Sequence, residues 1–457
     1  MKIQYLFCLF LFLNFKDTIR IENSSNNIIM DSIDSKANKP KMVFAHYMVC
    51  NKTYQKGSVE GYIRDITDAK EMGIDGFALN LGAWNKNYKV SVERIFEAAS
   101  QVDTSFKLFF SPDRCCGLNA NDVKDMFIQY VKHPNYYYYN NKPFLSGWTG
   151  PKSGNWWMEK ILTPLKDSGQ EPYLVPFLYT LDVDETPDYS KFEASYEQSW
   201  NMFMDGYFYF GAAGLPKQIV KSGEAAAEVL HSNNKSFMAT VSPYYWGCKQ
   251  KKSGRRYFEF NGGEGLHTQW MSIINNQNPE WVELVTWNDW DEGTYFSPMD
   301  DIVKHWPWTG HRYEGFYKTH KGFAALNKFY IEWYKSGQIP EITKDAIFVF
   351  YRTHPKDLII EEPKFGHVRA KKGDLKDEIY ITAILKKTGT LKINTGSRNE
   401  SIKAEAGIHH YRIPFEVGNQ KIILKRGIKT IMSLEGEDIV NETLDYNFNL
   451  YSNYLIK

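Results

Sequence analysis

Residues Trp281–Tyr295 read WVELVTWNDWDEGTY. The first half has the character of a buried strand: Val282, Leu284 and Val285 are apolar, and Thr286 is β-branched. The second half crowds Asn288, Asp289, Asp291 and Glu292 between Trp287 and Trp290, and Gly293 then lets the chain turn. Carboxylates at that density lose hydration when buried without partners, so the run does not belong inside a core. It fits the mouth of a barrel, where a sugar ring stacks on an indole and two carboxyl groups flank a glycosidic bond. A solvated loop whose acids pair with Lys or Arg is the plainer alternative, and the two tryptophans speak against it.

The strand at Glu280 to Thr286 is the last of a series. Apolar runs at Met42–Met48, Ile74–Leu79, Phe106–Ser111, Pro143–Ser146, Tyr173–Leu178, Met202–Tyr209 and Ser236–Val241 precede it. Helix-like segments separate them, and a long one from Glu314 to Lys335 closes the series. Eight strand–helix units in succession are the pattern of a (β/α)₈ TIM-type barrel. After Gly337 no helical period survives, and short strands with glycine turns follow, among them Ile347–Arg352, Glu378–Leu385, Ala404–Phe415 and Gln420–Arg426. The expected organisation is α/β: a catalytic barrel over 41–337 and a small antiparallel β-sandwich over 338–457.

The chain has 457 residues, a net charge of +1 and 24% charged residues, which gives no reason to expect nucleic acid or an anionic membrane. Aromatics reach 16%, enough for a large core and for carbohydrate platforms. Lys2 followed by the apolar run Ile3–Phe15, too short to span a bilayer, reads as a signal peptide over 1–20, with a polar lead-in over 21–40. An uncleaved anchor is the alternative, because no clear small-residue cleavage site follows. Sequons at Asn23, Asn51, Asn234, Asn399 and Asn441 favour the secretory route. In that compartment Cys50, Cys115, Cys116 and Cys248 are expected to form two disulfides, the adjacent Cys115 and Cys116 each bonding elsewhere. Their spacing matches no zinc motif, so neither a metal nor a cofactor is expected. The expected product is a secreted monomer with no membrane span once mature.

In barrels of this type the groups just past the C-terminal ends of the strands face the active site. That filter selects His46, Tyr47, Asn80, Trp84, Asp113, Tyr244, Trp246, Asn288, Asp289 and Glu292, with Trp287 and Trp290 flanking the last pair. Trp148, Asp182, Asp184 and Tyr245 also fall just beyond strand ends. Some have plainer uses. His46 can bond a neighbouring carbonyl, Asp75 can brace the lower end of the barrel, and Asp113 can pair with Arg114. Trp246, beside Gly247, reads more as a sugar platform than as core.

At these residues the chain resembles glycoside hydrolase family 71, the α-1,3-glucanases or mutanases. The likeness runs from Val43 to about Pro355 and rests on several motifs in one order. They are Val43-Phe44-Ala45-His46-Tyr47-Met48, Gly73-Ile74-Asp75-Gly76-Phe77-Ala78-Leu79-Asn80, Phe106-Lys107-Leu108-Phe109, Val241-Ser242-Pro243, Thr286-Trp287-Asn288-Asp289 and Tyr351-Arg352-Thr353-His354-Pro355. The resemblance implies a barrel with an appended β-sandwich and hydrolysis with inversion. It also implies that Asp289 and Glu292 are the catalytic acids, with Asp75 a third important carboxyl. Two motifs depart from the family. Trp290-Asp291-Glu292-Gly293 stands where an aromatic, Gly, Glu and Ser are usual, and Ser111-Pro112-Asp113 stands for Ser-Phe-Asp. The added Asp291 could raise a neighbouring pKa by like-charge repulsion. The expected activity is endo cleavage of α-1,3-glucan. The alternatives are a barrel hydrolase for another polysaccharide such as an α-mannan, and a non-catalytic carbohydrate-binding protein.

Overall fold

The computed structural model describes residues 40–54, 57–114, 117–150, 153–247, 256–298, 316–364 and 375–457. The leader, Asn23, Cys115, Cys116 and Cys248 lie outside the described residues, and with them the expected disulfide pairing.

Lys41–Lys457 is one compact unit. A curled, mainly parallel sheet forms its first part. Its parallel strands are β1 (Met42–Met48), β2 (Gly76–Leu81), β3 (Lys107–Pro112), β4 (Lys142–Leu145), β5 (Tyr173–Leu174), β6 (Gly206–Phe208), β7 (Ser236–Val241) and β8 (Trp281–Leu284). The ladder runs β6-β7-β8-β1-β2-β3-β4-β5. Between its two ends, backbone N–H groups of Asp205 and Phe208 donate to the carbonyls of Leu174 (2.9 Å) and Pro176 (3.0 Å). The register sets Phe44 beside Gly76, where a Cβ would lie 1.9 Å from the Lys107 carbonyl oxygen; only glycine lets β2 and β3 approach so closely.

Alternation sends every second side chain into the concave interior. Phe44, Phe109, Phe144 and Trp281 meet there as one aromatic layer, with ring centroids 4.9 Å (Phe44–Phe109), 4.7 Å (Phe109–Phe144) and 5.1 Å (Phe144–Trp281) apart. His46 and Glu283, two residues further along β1 and β8, form the next layer. The longer helices are α1 (Val59–Glu71), α2 (Lys86–Val102), α3 (Ala120–Tyr130), α4 (Pro216–Ser232), α5 (Gly263–Ser272) and α6 (Lys321–Ser336). Sequence marks their starts: Ser58 caps α1 by accepting from the Gly61 N–H, and Asn119 and Asp122 form a capping box on α3.

Some boundaries differ from expectation. The fifth strand, expected to run unbroken to Leu178, stops at Leu174 and resumes as Phe177–Leu178, because Pro176 between them has no N–H to donate. The sixth strand is confined to Gly206–Phe208, and Met202 is exposed before it. The closing helix begins at Lys321; Phe316, Tyr317 and His320 ahead of it are buried without being helical, and Glu314 lies outside the described residues.

Two antiparallel sheets follow, ordered β13-β10-β9-β16 and β12-β11-β14-β15. Here β9 is Ala346–Arg352, β10 Glu378–Leu385, β11 Gly389–Thr395 and β12 Arg398–Ala404; β13 is Gly407–Pro414, β14 Gln420–Arg426, β15 Lys429–Glu435 and β16 Leu450–Ile456. The expected single run Ala404–Phe415 is thus the end of one strand and all of another, and β16 was not anticipated. Ile347, Val349, Ile381, Leu391, Ile393 and Ile422 fill the space between the sheets. Phe348, Phe350 and Tyr380 on the other face of the first sheet join the main core, with the Phe350 ring 4.6 Å from Phe323 of α6.

Candidate active site

The residues after β8 are fixed by their own polar groups. Trp287 donates its backbone N–H to the His46 carbonyl (2.8 Å) and its indole N–H to Asp65 of α1 (2.9 Å). Asp65 also accepts the Tyr47 hydroxyl (2.8 Å). Asn288 accepts from the Met48 N–H (2.7 Å) and donates to the Asn51 carbonyl (2.6 Å), while Asn51 donates back to the Asn288 carbonyl (2.9 Å). These bonds tie the loop to the end of β1. They also use up Asn51: its side chain is buried and bonded, so this sequon is a structural element, whereas Asn234, Asn399 and Asn441 are exposed.

Past Asn288 the chain makes a tight acidic turn. The Asp289 N–H donates to the Thr286 hydroxyl (2.8 Å), and the Asp289 carboxylate accepts from the N–H groups of Asp291 (3.1 Å) and Glu292 (3.2 Å). Gly293 then turns at φ 67°, and a Cβ there would meet the Tyr244 ring at 2.9 Å. Asp289 and Glu292 thereby face a cavity of about 200 Å³. His46 and Met48 of β1, Asn80 of β2 and Asp113 after β3 line its floor and near side.

Aromatic rings form one wall. Trp148 lies 5.4 Å from Tyr179 and 6.0 Å from Phe177, and Phe177 lies 5.9 Å from Phe210, centroid to centroid. Tyr245, Glu185 and Arg256 close the far side. Arg256 pairs with Glu185 and sits over the Tyr245 ring. The Tyr245 hydroxyl donates to Glu292 (3.0 Å).

This setting divides the two carboxyl groups. Loss of water and then the negative charge of Asp289 push Glu292 up to about 8, against the opposing pull of the Tyr245 hydroxyl and Arg256. Burial and the neighbouring carboxylate thus both favour the protonated form of Glu292. Asp289 holds an acceptor geometry, with two N–H groups aimed at one oxygen. The like charge expected from Asp291 comes first from Asp289. Under the loop, burial pushes Asp65 up to about 7, partly offset by the bonds from Trp287 and Tyr47.

Of the residues selected from sequence, His46, Asn80, Asp113, Asp289 and Glu292 come together at the cavity, as do Trp148 and Tyr245. Asp75 does not. It immediately precedes β2, at the opposite end of the parallel strands, where it accepts from the Val43 N–H (2.8 Å) and pairs with Lys335 (2.6 Å). Tyr47 and Trp287 are spent on Asp65, and Asn288 on the β1 end. Trp84 packs edge-on to Phe110 and Tyr130. Trp246, read as a platform, is fully buried between Phe316 and Phe448, and Trp290 is fully buried beside Tyr317. Tyr244 is buried against the C-terminal segment: its hydroxyl donates to Asn449 (3.3 Å) and accepts from the Leu450 N–H (3.2 Å). Asp182 and Asp184 bind Lys191 in a neighbouring depression.

Sequence reading missed Glu185, Arg256, Tyr179 and Phe210 at the cavity and Glu283 beneath it. Among the described residues no cluster of three or more His, Cys, Asp or Glu side chains could hold a metal ion, and no helix is long and apolar enough to cross a membrane.

The chain is similar to several known proteins. A glucan endo-1,3-alpha-glucosidase of Schizosaccharomyces pombe is 26% identical over 94% of this chain and 98% of its own. A mutanase of Penicillium rubens is 30% identical over 92% of this chain and 90% of its own. Among solved structures, an endo-alpha-mannosidase of Bacteroides thetaiotaomicron superposes with a TM-score of 0.47 at 13% identity, over 64% of this chain and 97% of that one. The model of glycosyl hydrolase family 71 matches residues 39–456, from just before β1 to the end of β16. With that match spanning both the curled sheet and the C-terminal sheets, the chain belongs to glycosyl hydrolase family 71.

Proposed function

We infer that the protein is a glycoside hydrolase that cleaves α-1,3-glucosidic linkages of α-1,3-glucan. The observation that carries the reading is the pair Asp289 and Glu292, one carboxyl pushed towards its protonated form and its neighbour accepting two N–H groups, in an aromatic-walled cavity of a family 71 chain. The relatives named above as glucan endo-1,3-alpha-glucosidase and mutanase supply the linkage.

In the proposed mechanism Glu292 gives its proton to the departing glycosidic oxygen. Its raised pKa suits a general acid at neutral pH. Asp289 stays ionised and takes a proton from the water that attacks the opposite face of the ring. That route inverts the anomeric centre and needs the carboxyl groups about 6.5–9.5 Å apart. Trp148 and Tyr179 offer faces for the sugar, while Asn80 and Asp113 offer hydrogen bonds to its hydroxyls. We further propose that the curled sheet is a closed eight-stranded barrel, sealed by the bonds from Asp205 and Phe208, so that the cavity opens at its C-terminal mouth. Endo action, secretion and work on an extracellular wall polymer belong to the same reading; one relative is named an ascus wall endo-1,3-alpha-glucanase.

The test is digestion of insoluble α-1,3-glucan beside α-1,4-glucan, β-1,3-glucan and α-mannan, with products sized and followed by proton NMR from the first minutes. The expected result is release of oligosaccharides from α-1,3-glucan with the β-anomer appearing first. Early α-anomer would overturn the acid–base assignment, and binding to α-1,3-glucan without release would overturn the enzyme.

A further inference from the structure

Glu283 is a buried carboxyl with no part in the mechanism above. Glu283 points from β8 into the interior, fully buried, and one of its oxygens lies 2.7 Å from His46 Nδ1. The other, Oε2, has no hydrogen-bond partner among the described residues. His46 is 2% exposed, lies against Phe210 (5.3 Å between centroids) and lines the floor of the cavity. A carboxyl group in that position is costly to keep, and a leucine would continue the apolar strand.

The number of protons the pair holds decides what it can offer the cleft. With a net charge of −1, an ionised Glu283 accepts Nδ1–H and leaves Nε2 bare. With no net charge the proton belongs between Oε1 and Nδ1, on the carboxyl or on the imidazole, because on Oε2 it would find no acceptor among the described residues. In both placements Nε2 also carries a hydrogen. Burial favours the pair without net charge, because an uncompensated charge in the interior is expensive. The charges around it push the same way. Asp113 and Asp289 face the cavity above His46, and Arg256, which also lines it, is engaged with Glu185. Burial likewise raises the pKa of Glu283.

We propose that Glu283 is a positioning residue that keeps a proton on His46 Nε2, so that the floor of the cleft presents an N–H donor to a hydroxyl oxygen of the bound sugar. The choice of a sugar as the acceptor rests on the glycosidase reading; the protonation of Nε2 does not.

The test therefore has two readouts on the full chain. In protein labelled with ¹⁵N-histidine, with His46 assigned by its loss in His46→Gln, Nε2 is expected at the shift of a protonated ring nitrogen near neutral pH. An unprotonated Nε2 would overturn the proposal, and this readout needs no substrate. The second readout is steady-state kinetics on a soluble α-1,3-linked oligosaccharide. Glu283→Gln can donate its amide N–H to Nδ1 and so keep the proton on Nε2, so its KM should stay within about threefold of the parent. Glu283→Leu cannot, and KM should rise about tenfold, the worth of one hydrogen bond, with kcat changed less. A merely structural role predicts equal effects of both variants, or a lower melting temperature at unchanged KM, and either would overturn the proposal. If the leucine variant does not fold, the resonance in the parent and in Glu283→Gln decides. Absence of any activity on α-1,3-glucan, with Nε2 protonated, would sink the glycosidase reading and leave the tautomer standing.

Discussion

Tyr245→Phe removes one oxygen and tests the charge balance of the site. The Tyr245 hydroxyl donates to Glu292 at 3.0 Å and so favours its ionised form, while loss of water and Asp289 push it up to about 8. A hydrogen bond is worth about 1.5–3 kcal/mol to a charged acceptor and about 0.5–1.5 kcal/mol to a neutral one. The difference, about 1 kcal/mol, stabilises only the carboxylate. At 1.36 kcal/mol per pKa unit its loss raises Glu292 by roughly 0.7 unit. Glu292 must be protonated to act, so the alkaline limb of kcat/KM should move to higher pH by that amount. The limb reports the free enzyme and belongs to the Asp289–Glu292 pair as a whole. Initial rates of reducing-sugar release from a soluble α-1,3-linked oligosaccharide, taken across the alkaline range, measure it. A limb that stays in place or moves down, in a variant that melts like the parent, would refute the reasoning.

Asp289→Asn and Glu292→Gln should each lower kcat by about 10²–10⁴-fold with the fold intact, and the double variant should be little worse than either, because the two act as a unit; single-turnover rates check this. Asp65→Ala leaves the Trp287 indole N–H and the Tyr47 hydroxyl buried without their acceptor. It should cost about 3 kcal/mol in chemical denaturation and reduce activity through the displaced loop; unchanged stability would count against Asp65 as the anchor. Asp75→Asn breaks the pair with Lys335 at the far end of the strands, so it should lower the melting temperature slightly and leave kcat within about twofold. A large loss of kcat there would restore Asp75 to the reaction.

The strands were readable where the pattern is local. Met42–Met48 and Ser236–Val241 appear as expected because apolar runs bounded by polar turns have few other uses. The acidic turn was readable for the opposite reason, since so many carboxyls do not fit a core. The aromatics were not. Trp246 and Trp290 have the same flat faces as Trp148, and only packing decides which face meets solvent. Glu185 and Arg256 have no local signal, because a cavity assembled from distant loops leaves no periodicity. Glu283 did leave one: in an apolar strand it stands two residues after Trp281, hence on the same, inward face. Asp75 was decided by strand polarity, since a residue ahead of a parallel strand lies at the end opposite the cavity.

The wall beside Glu292 depends on a stretch of chain more than 150 residues further on, just ahead of β16 and at its start. Tyr244 is bonded to Asn449 and Leu450, Trp246 leans on Phe448, and the Trp246 N–H holds the Glu292 carbonyl (2.8 Å). On the other side Tyr244 packs on His320 and Phe323 and Trp246 on Phe316, so residues 448–450 complete a support that the start of α6 begins. The cleft wall is therefore a joint product of the curled sheet and of the antiparallel sheets, and a substitution at Phe448 or Asn449, far from either carboxyl in sequence, reaches the site through Tyr244 and Trp246.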